Sequence, residues 1–261
     1  GEDIVDPYGG AFKVTKGFSD KYPNQVFASS ISESGMVGVS IGMALKGTQS
    51  FTEIMFGDFM TLAFDQLVNN ASKMHHMYNF QVDVPLRIRT PMGGKRGYGP
   101  THSQSLEKFL VGIDNVLTIS LSSLDDPKRS IVEIEKFMCP VVVIENKTDY
   151  GNVLWQGSNI YKTYKENKPF GGLILSPSSS EATITIVSYG ETARCVADNL
   201  EVFFEETDEI AELVCLTQLH PIDLSLVKRS VFKTKRLLFI EDGSVNFGIG
   251  SEVLAQLVEE G

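Results

Sequence analysis

Short apolar runs alternate along this chain with longer amphipathic stretches bounded by glycine, the rhythm of βαβ units around a mostly parallel sheet. Residues 26–28, 50–56, 84–89, 116–120 and 140–144 read as strands. Residues 32–46, 59–78 and 127–136 read as helices, and a further helix is expected to open at Ser103 with Glu107 nearby. Residues 151–181 break the rhythm with clusters of Gly, Asn, Lys, Pro and Ser, and read as a linker. The alternation then resumes with strands at 182–188, 211–216 and 236–240 and helices at 191–205, 224–231 and 250–259. The expected fold class is α/β, as two tandem three-layer domains with mostly parallel sheets over residues 1–150 and 182–261. Neither a fixed-period repeat nor a low-complexity tract is seen.

Composition narrows the function classes. Hydrophobic residues make up 42% and charged residues 21%, which supports a packed core in a globular protein. The formal net charge of −10 argues against sequence-independent nucleic-acid binding, which needs a cationic face. Residues 1–150 carry 14 basic against 17 acidic groups, and residues 151–261 carry 9 against 16, so the second half is the more acidic. No apolar run spans a bilayer, and no membrane partner is expected. The start at Gly1 shows neither an initiator Met nor a signal-peptide pattern, and reads as a fragment or a processed end. Cys139, Cys195 and Cys215 are odd in number and far apart, which fits free thiols in the cytoplasm or the mitochondrial matrix.

Two segments carry candidate chemistry. Ile31-Ser32-Glu33-Ser34-Gly35 sets a carboxylate where a helix begins, and Gly35, Gly38 and Gly42 strip side chains from that helix at a cost of roughly 1 kcal/mol each against Ala. Close approach of its backbone to another helix or a ligand is the expected return. Gly99-Pro100-Thr101-His102-Ser103-Gln104-Ser105 sets a histidine after a loop with Gly93, Gly94, Gly97 and Gly99. A Glu and a His held this way suit proton transfer to a cofactor bound between them. Arg87, Arg89, Lys95 and Arg96 put four cations near that loop, a field able to draw in an anionic substrate. His75-His76 has no carboxylate at ligand spacing, so no protein metal site is read.

These segments resemble the beta subunit of thiamine-diphosphate-dependent 2-oxo acid dehydrogenases, within the transketolase-like superfamily. Phe56-Gly57-Asp58-Phe59, Ala63-Phe64-Asp65-Gln66-Leu67-Val68-Asn69 and Pro140-Val141-Val142-Val143-Ile144-Glu145-Asn146-Lys147 extend the resemblance. Leu216-Thr217-Gln218 through Asp223 and Glu241-Asp242-Gly243 carry it more loosely into the second half. It implies a pyrimidine-binding domain over 1–150 and a transketolase C-terminal-like domain over 182–261, shorter than in relatives. Glu33 matches the acid that hydrogen-bonds the cofactor's aminopyrimidine, Phe59 the aromatic that stacks on it, and His102 the residue that guides substrate and acyl transfer. Arg89 matches an arginine common in this strand of relatives and is the second candidate substrate-binding residue. Asp65 matches an acid in a polar channel between active sites, although Leu62 stands where some relatives carry another acid. Lys95-Arg96 departs from the small residues usual there.

The implied reaction is oxidative decarboxylation of a small 2-oxo acid with acyl transfer to a lipoyl group on an acyltransferase. The family's diphosphate and Mg2+ motif, Gly-Asp-Gly followed by Asn-Asn, does not occur in these residues. The resemblance therefore implies an alpha subunit that carries it and holds the Mg2+, in an α2β2 assembly. It also implies a structural K+ held by main-chain oxygens just before and within Pro140 to Gly151, a site that backbone ligands leave unmarked in sequence. Two alternatives stay open: half of a split transketolase-type ketol transferase, and a non-catalytic subunit of the same fold.

Overall fold

The computed structural model of the chain describes residues 1–259; residues 260 and 261, the end of the second expected domain, lie outside them. The chain folds as two compact units. The first comprises residues 1–106, 113–117 and 134–150, and the second residues 107–112, 118–133 and 151 onward.

In the first unit a turn of helix, α1 (Phe18–Lys21), precedes the longer α2 (Glu33–Leu45). After β1 (Ser50–Glu53) comes a helical stretch whose winding changes twice. It runs as a 3-10 segment (Gly57–Ala63), a π-helical turn (Gln66–Ala71) and α3 (Ser72–Met77), where one uninterrupted helix was expected. Asn69 and Asn70, both of low helix propensity, lie in the widened turn, where Asn69 donates to Asp65 at 2.8 Å. Strand β2 (Leu86–Met92) follows. The chain then passes through β3 (Leu117–Ser120) and α4 (Pro127–Ile134), most of which belong to the second unit, before β4 (Val141–Asn146). β2 is the central strand of the first unit, parallel to β1 on one side and to β4 on the other. Strands covered on both faces read as continuous apolar runs, and Leu86, Ile88, Val141, Val142 and Val143 are fully buried.

Two expectations fail locally. Residues 26–28 form no strand. No helix opens at Ser103: the backbone of Gln104 donates to Asp58 and accepts from Gly93, so its polar groups are satisfied outside a helix. Two glycines are demanded by the packing. A Cβ on Gly57 would lie 2.2 Å from Met92, and Gly93, at φ 88°, would press one to 2.5 Å of Asn146. The glycines of α2 differ: a Cβ on Gly42 would meet nothing within 4 Å and one on Gly38 would make ordinary contact with Gln66 at 3.5 Å, whereas one on Gly35 would come to 2.9 Å of the Ser32 cap oxygen.

The second unit is built on a mixed sheet. Its strands are β5 (Tyr161–Lys165), β6 (Leu173–Pro177), β7 (Ile184–Tyr189), β8 (Ala211–Leu216) and β10 (Leu237–Phe239), in the order β10-β7-β8-β6-β5. β10, β7 and β8 run parallel, β6 runs antiparallel to β8, and β5 runs antiparallel to β6. The stretch read as a linker thus holds two strands of this sheet. β5 escapes a sequence reading because only Tyr161 of its residues is buried, as suits an edge strand. The short β9 (Gln218–His220) pairs with β3. Helices α5 (Gly190–Asp198) and α6 (Leu200–Thr207) replace the single expected helix, broken where the Asn199 side chain turns back to the Cys195 carbonyl at 2.8 Å. α7 (Ser225–Thr234) and α8 (Ile249–Glu259) complete the unit. Leu175, Ile186, Ala193, Ala211 and Leu213 lie at the centre of its core.

Candidate active site

Glu33 is the first residue of α2. Ser32 caps the helix by accepting from the Gly35 N–H at 3.3 Å, so the carboxylate sits where the helix dipole favours negative charge. Glu33 is only 5% exposed, yet its carboxylate accepts no hydrogen bond from any described residue. A second acid that feels its charge, Glu2, is also buried and accepts from the Ser32 N–H at 3.2 Å. Burial raises the pKa of Glu2, and the Glu33 charge raises it further. The Glu33 oxygens are not among the fully buried unpartnered atoms, so this mostly buried acid keeps an opening through which a ligand can donate to it.

His102 ends the short 3-10 turn Pro100–His102, set by Gly99 at φ 79° and the pre-formed Pro100. Its ring stands edge-on to Phe56 at 4.8 Å and to Phe59 at 5.2 Å between centroids. Phe12 and Tyr98 extend this aromatic wall, each about perpendicular to its neighbour. Nδ1 lies 2.9 Å from the Thr101 hydroxyl, which leaves Nε2 without a partner among the described residues. The backbone is fixed from below, where Lys147, with no exposed surface, donates from Nζ to the His102 carbonyl at 2.7 Å. The same ammonium sits 5.2 Å from the Phe56 ring centroid, within cation–π range.

Asp58 braces the loop from the other side. Its Oδ1 accepts from the Gln104 side chain at 2.8 Å and from the Gln104 N–H at 3.3 Å, while Oδ2 is buried without a partner. The 3-10 segment that carries Asp58 and Phe59 packs against α2. The first unit therefore brings the Phe59 ring against His102, on a segment that packs against the helix that Glu33 begins.

Arg89 does not join them as an anion reader. It pairs with Glu53 and with Glu145, donating from Nε to Glu145 Oε1 at 3.0 Å, and its Nη2 also lies 3.0 Å from the Tyr150 hydroxyl. Glu53 is its register partner on β1, and Glu145 stands on β4 opposite Pro91. Burial works against the Arg89 charge, but Glu145, Tyr150 and Glu53 together hold its pKa above the ordinary value. Burial pushes Glu53 up, with Glu145 adding to the shift, against the pull of Arg89. A guanidinium between two carboxylates has no surplus charge for a substrate. Arg87 is withdrawn as well, buried and donating to main-chain carbonyls of Leu86, Phe137 and Cys139. Only Lys95 and Arg96 stay exposed, on the glycine loop.

His75 packs locally, with Nδ1 2.8 Å from the Val82 carbonyl, and both His75 and His76 stand edge-on to Phe80. Among the described residues no group of three or more His, Cys, Asp or Glu could hold a metal ion, and no helix is long and apolar enough to cross a membrane. The residues present suit the aminopyrimidine half of thiamine diphosphate: a mostly buried acid lacking a donor among the described residues, and a half-buried aromatic ring. The sequence reading passed over Lys147 and Asp58. Both lie inside quoted motifs, and the signal was a charged residue at the end of an apolar strand and beside a glycine.

Residues 1–152 match the family "Transketolase, pyrimidine binding domain", and residues 176–261 match "Transketolase, C-terminal domain". The pyruvate dehydrogenase E1 component subunit beta of Chaetomium thermophilum is 32% identical, over 99% of this chain and 67% of that protein. Its counterpart in Rickettsia conorii is 31% identical over 100% of this chain and 77% of its own length. The beta subunit of acetoin:2,6-dichlorophenolindophenol oxidoreductase from Cupriavidus necator is 30% identical over 100% and 77%. A split-gene transketolase, solved as an inactive beta4 tetramer, superposes with a TM-score of 0.71 at 21% identity, covering 94% of this chain and 75% of that one, a likeness of fold.

Proposed function

The chain belongs to the transketolase-like family of E1 beta subunits, and from that premise we propose that it is the beta subunit of a thiamine-diphosphate-dependent 2-oxo acid dehydrogenase, active with an alpha subunit. The observation that carries the reading is the mostly buried Glu33, whose carboxylate has no hydrogen-bond donor among the described residues, on a helix that packs against the Phe59 segment. Glu33 takes the role of sharing a proton with the aminopyrimidine ring nitrogen, and Phe59 offers its ring to the same heterocycle. The bound cofactor supplies the electron sink for decarboxylation. His102, with Nε2 free and its backbone held by Lys147, orients the 2-oxo acid and guides acyl transfer to a lipoyl group. Arg89 acts as the organiser of the Glu53–Glu145 cluster. Magnesium and diphosphate binding fall to the alpha subunit of an α2β2 assembly. The three cysteines form no disulfide among the described residues, which suits the cytoplasm or the mitochondrial matrix. Ketol transfer and a non-catalytic role have no observation of their own in their favour.

The test begins with the full-length protein recovered from its native source. A partner with the Gly-Asp-Gly and Asn-Asn motif is expected to co-purify in equal amount. The complex is expected to turn over a 2-oxo acid with an artificial electron acceptor when thiamine diphosphate is added. Glu33→Gln in that complex is expected to lower turnover by about 10²-fold or more. Unchanged turnover would overturn the catalytic role of Glu33.

A further inference from the structure

β2 carries two arginines on one face, and the sheet treats them differently. Arg89 finds carboxylates on both neighbouring strands. Arg87 has Phe51 and Val141 as its register partners, so no acid stands opposite it. It is 1% exposed and pairs with no carboxylate among the described residues. Its charge is met at hydrogen-bond distance by dipoles, while Glu135 acts on it through space without pairing. Nη1 donates to the carbonyls of Leu86 and Cys139 at 3.2 Å each, and Nη2 donates to the carbonyl of Phe137.

The Phe137 and Cys139 oxygens belong to a segment whose carbonyls are all engaged. In the run from Phe137 to Pro140, the Met138 carbonyl accepts from Val84 N–H at 3.0 Å and the Pro140 carbonyl from Leu117 N–H at 2.9 Å. The alternate carbonyls, of Phe137 and Cys139, converge with that of Leu86 on one cationic centre. Converging main-chain carbonyls are also the donor set that replaces the hydration shell of K+. The Phe137 and Cys139 oxygens directly precede Pro140, where the family resemblance implied a K+ held by backbone oxygens.

We infer that the guanidinium of Arg87 is a built-in cation filling this carbonyl cage, so that this chain needs no monovalent metal there. Two desolvated cations cannot share the same few carbonyls, because their repulsion acts in a poorly screened interior and no carboxylate bonds either of them there. The fit of the guanidinium is incomplete: Nε is buried and has no acceptor. The cage satisfies a compact charge better than it satisfies the full donor fork of an arginine. Its task is to hold the start of β4 against β2. The far end of β4 leads into Lys147, which fixes His102.

The full-length protein, in whatever assembly it purifies, is melted in chloride salts of K+, Na+ and choline at equal ionic strength. The wild type is expected to show the same midpoint in all three, and no stoichiometric heat when K+ is titrated in by calorimetry. Arg87→Ala, which opens the cage, is expected to melt lower and to regain stability saturably with K+ but not with choline. Arg87→Met, which fills the space without charge, is expected to melt lower and stay indifferent to K+. A saturable K+ dependence of the wild type overturns the inference, as does an Arg87→Ala protein that folds and responds alike to all three salts. If Arg87→Ala does not fold, the wild-type melt and titration decide the matter alone.

Discussion

The buried ammonium of Lys147 donates to the main-chain carbonyl of His102 at 2.7 Å, so the end of β4 sets the position of a histidine some forty residues away in sequence. A charge-assisted bond of this kind is worth about 1.5–3 kcal/mol. Lys147→Met keeps the bulk and removes both the donor and the cation over Phe56. Turnover of the assembled enzyme is expected to fall about tenfold or more as the His102 loop loosens. The urea midpoint is expected to drop as well. Steady-state kinetics alongside urea denaturation checks both, and wild-type turnover in a folded variant would show that the pin is unnecessary.

Replacing His102 itself separates chemistry from architecture. His102→Ala removes a ring edge from two phenylalanines but leaves the carbonyl that Lys147 holds. The assembled enzyme is expected to lose about 10²–10⁴-fold in turnover with a 2-oxo acid, the range for loss of a positioned acid–base group. The melting midpoint is expected to move far less. Loss of turnover in step with loss of fold would assign the ring a packing role only.

Much of this organisation was legible in the residue pattern, because buried parallel strands and capped helices leave local marks. Ser32 before Glu33, and the glycines with Pro100 ahead of His102, fixed two backbone positions without reference to the rest of the chain. What escaped was set by tertiary pairing. Arg87 and Arg89 look alike two residues apart, and only the register against Phe51 and Glu53 decides that one meets carbonyls and the other carboxylates. Lys147 reads as a surface residue until β4 carries it under Phe56. β5 was hidden for the opposite reason, since an edge strand with one buried residue has the composition of a loop.

Asp58 and Gln104 form the second brace of the histidine loop. Gln104→Ala takes away the 2.8 Å side-chain donor and leaves a buried carboxylate with the backbone N–H of residue 104 as its remaining donor at this position. Stripping a hydrogen-bond partner from a buried acceptor costs about 1–3 kcal/mol, and a charged acceptor lies toward the upper end. Asp58→Asn in the same background removes the charge and is expected to recover part of that loss. Urea midpoints of wild type, single and double variants measure the coupling; additive losses would show that the two side chains do not act as a pair.

In the second unit, Asp223 offers a pH test with a defined sign. It lies at the corner between β9 and α7, paired with Lys168 and accepting from the Ser225 N–H at 2.9 Å. Burial alone would raise its pKa, but the hydrogen bonds from Lys168 and Ser225 bring it down from 3.8 to about 2. A carboxylate with its folded pKa below its unfolded one stabilises the fold above pH 3.8, and that contribution disappears as pH falls through about 2. The pair is well exposed, with side chains 36% and 42% accessible, so solvent screening limits it to about 1 kcal/mol or less. Asp223→Asn is therefore expected to cost about that amount near pH 6, less in high salt, and almost nothing near pH 2. The difference between the two proteins' urea midpoints, followed from pH 6 down to pH 2, isolates this group from the other carboxylates that titrate alongside it. A gap that closes between pH 4 and pH 2 assigns the stabilisation to the ionised Asp223. Finding no gap at any pH would place the stabilisation in the hydrogen bond from the Ser225 N–H, which asparagine keeps through its own side-chain oxygen.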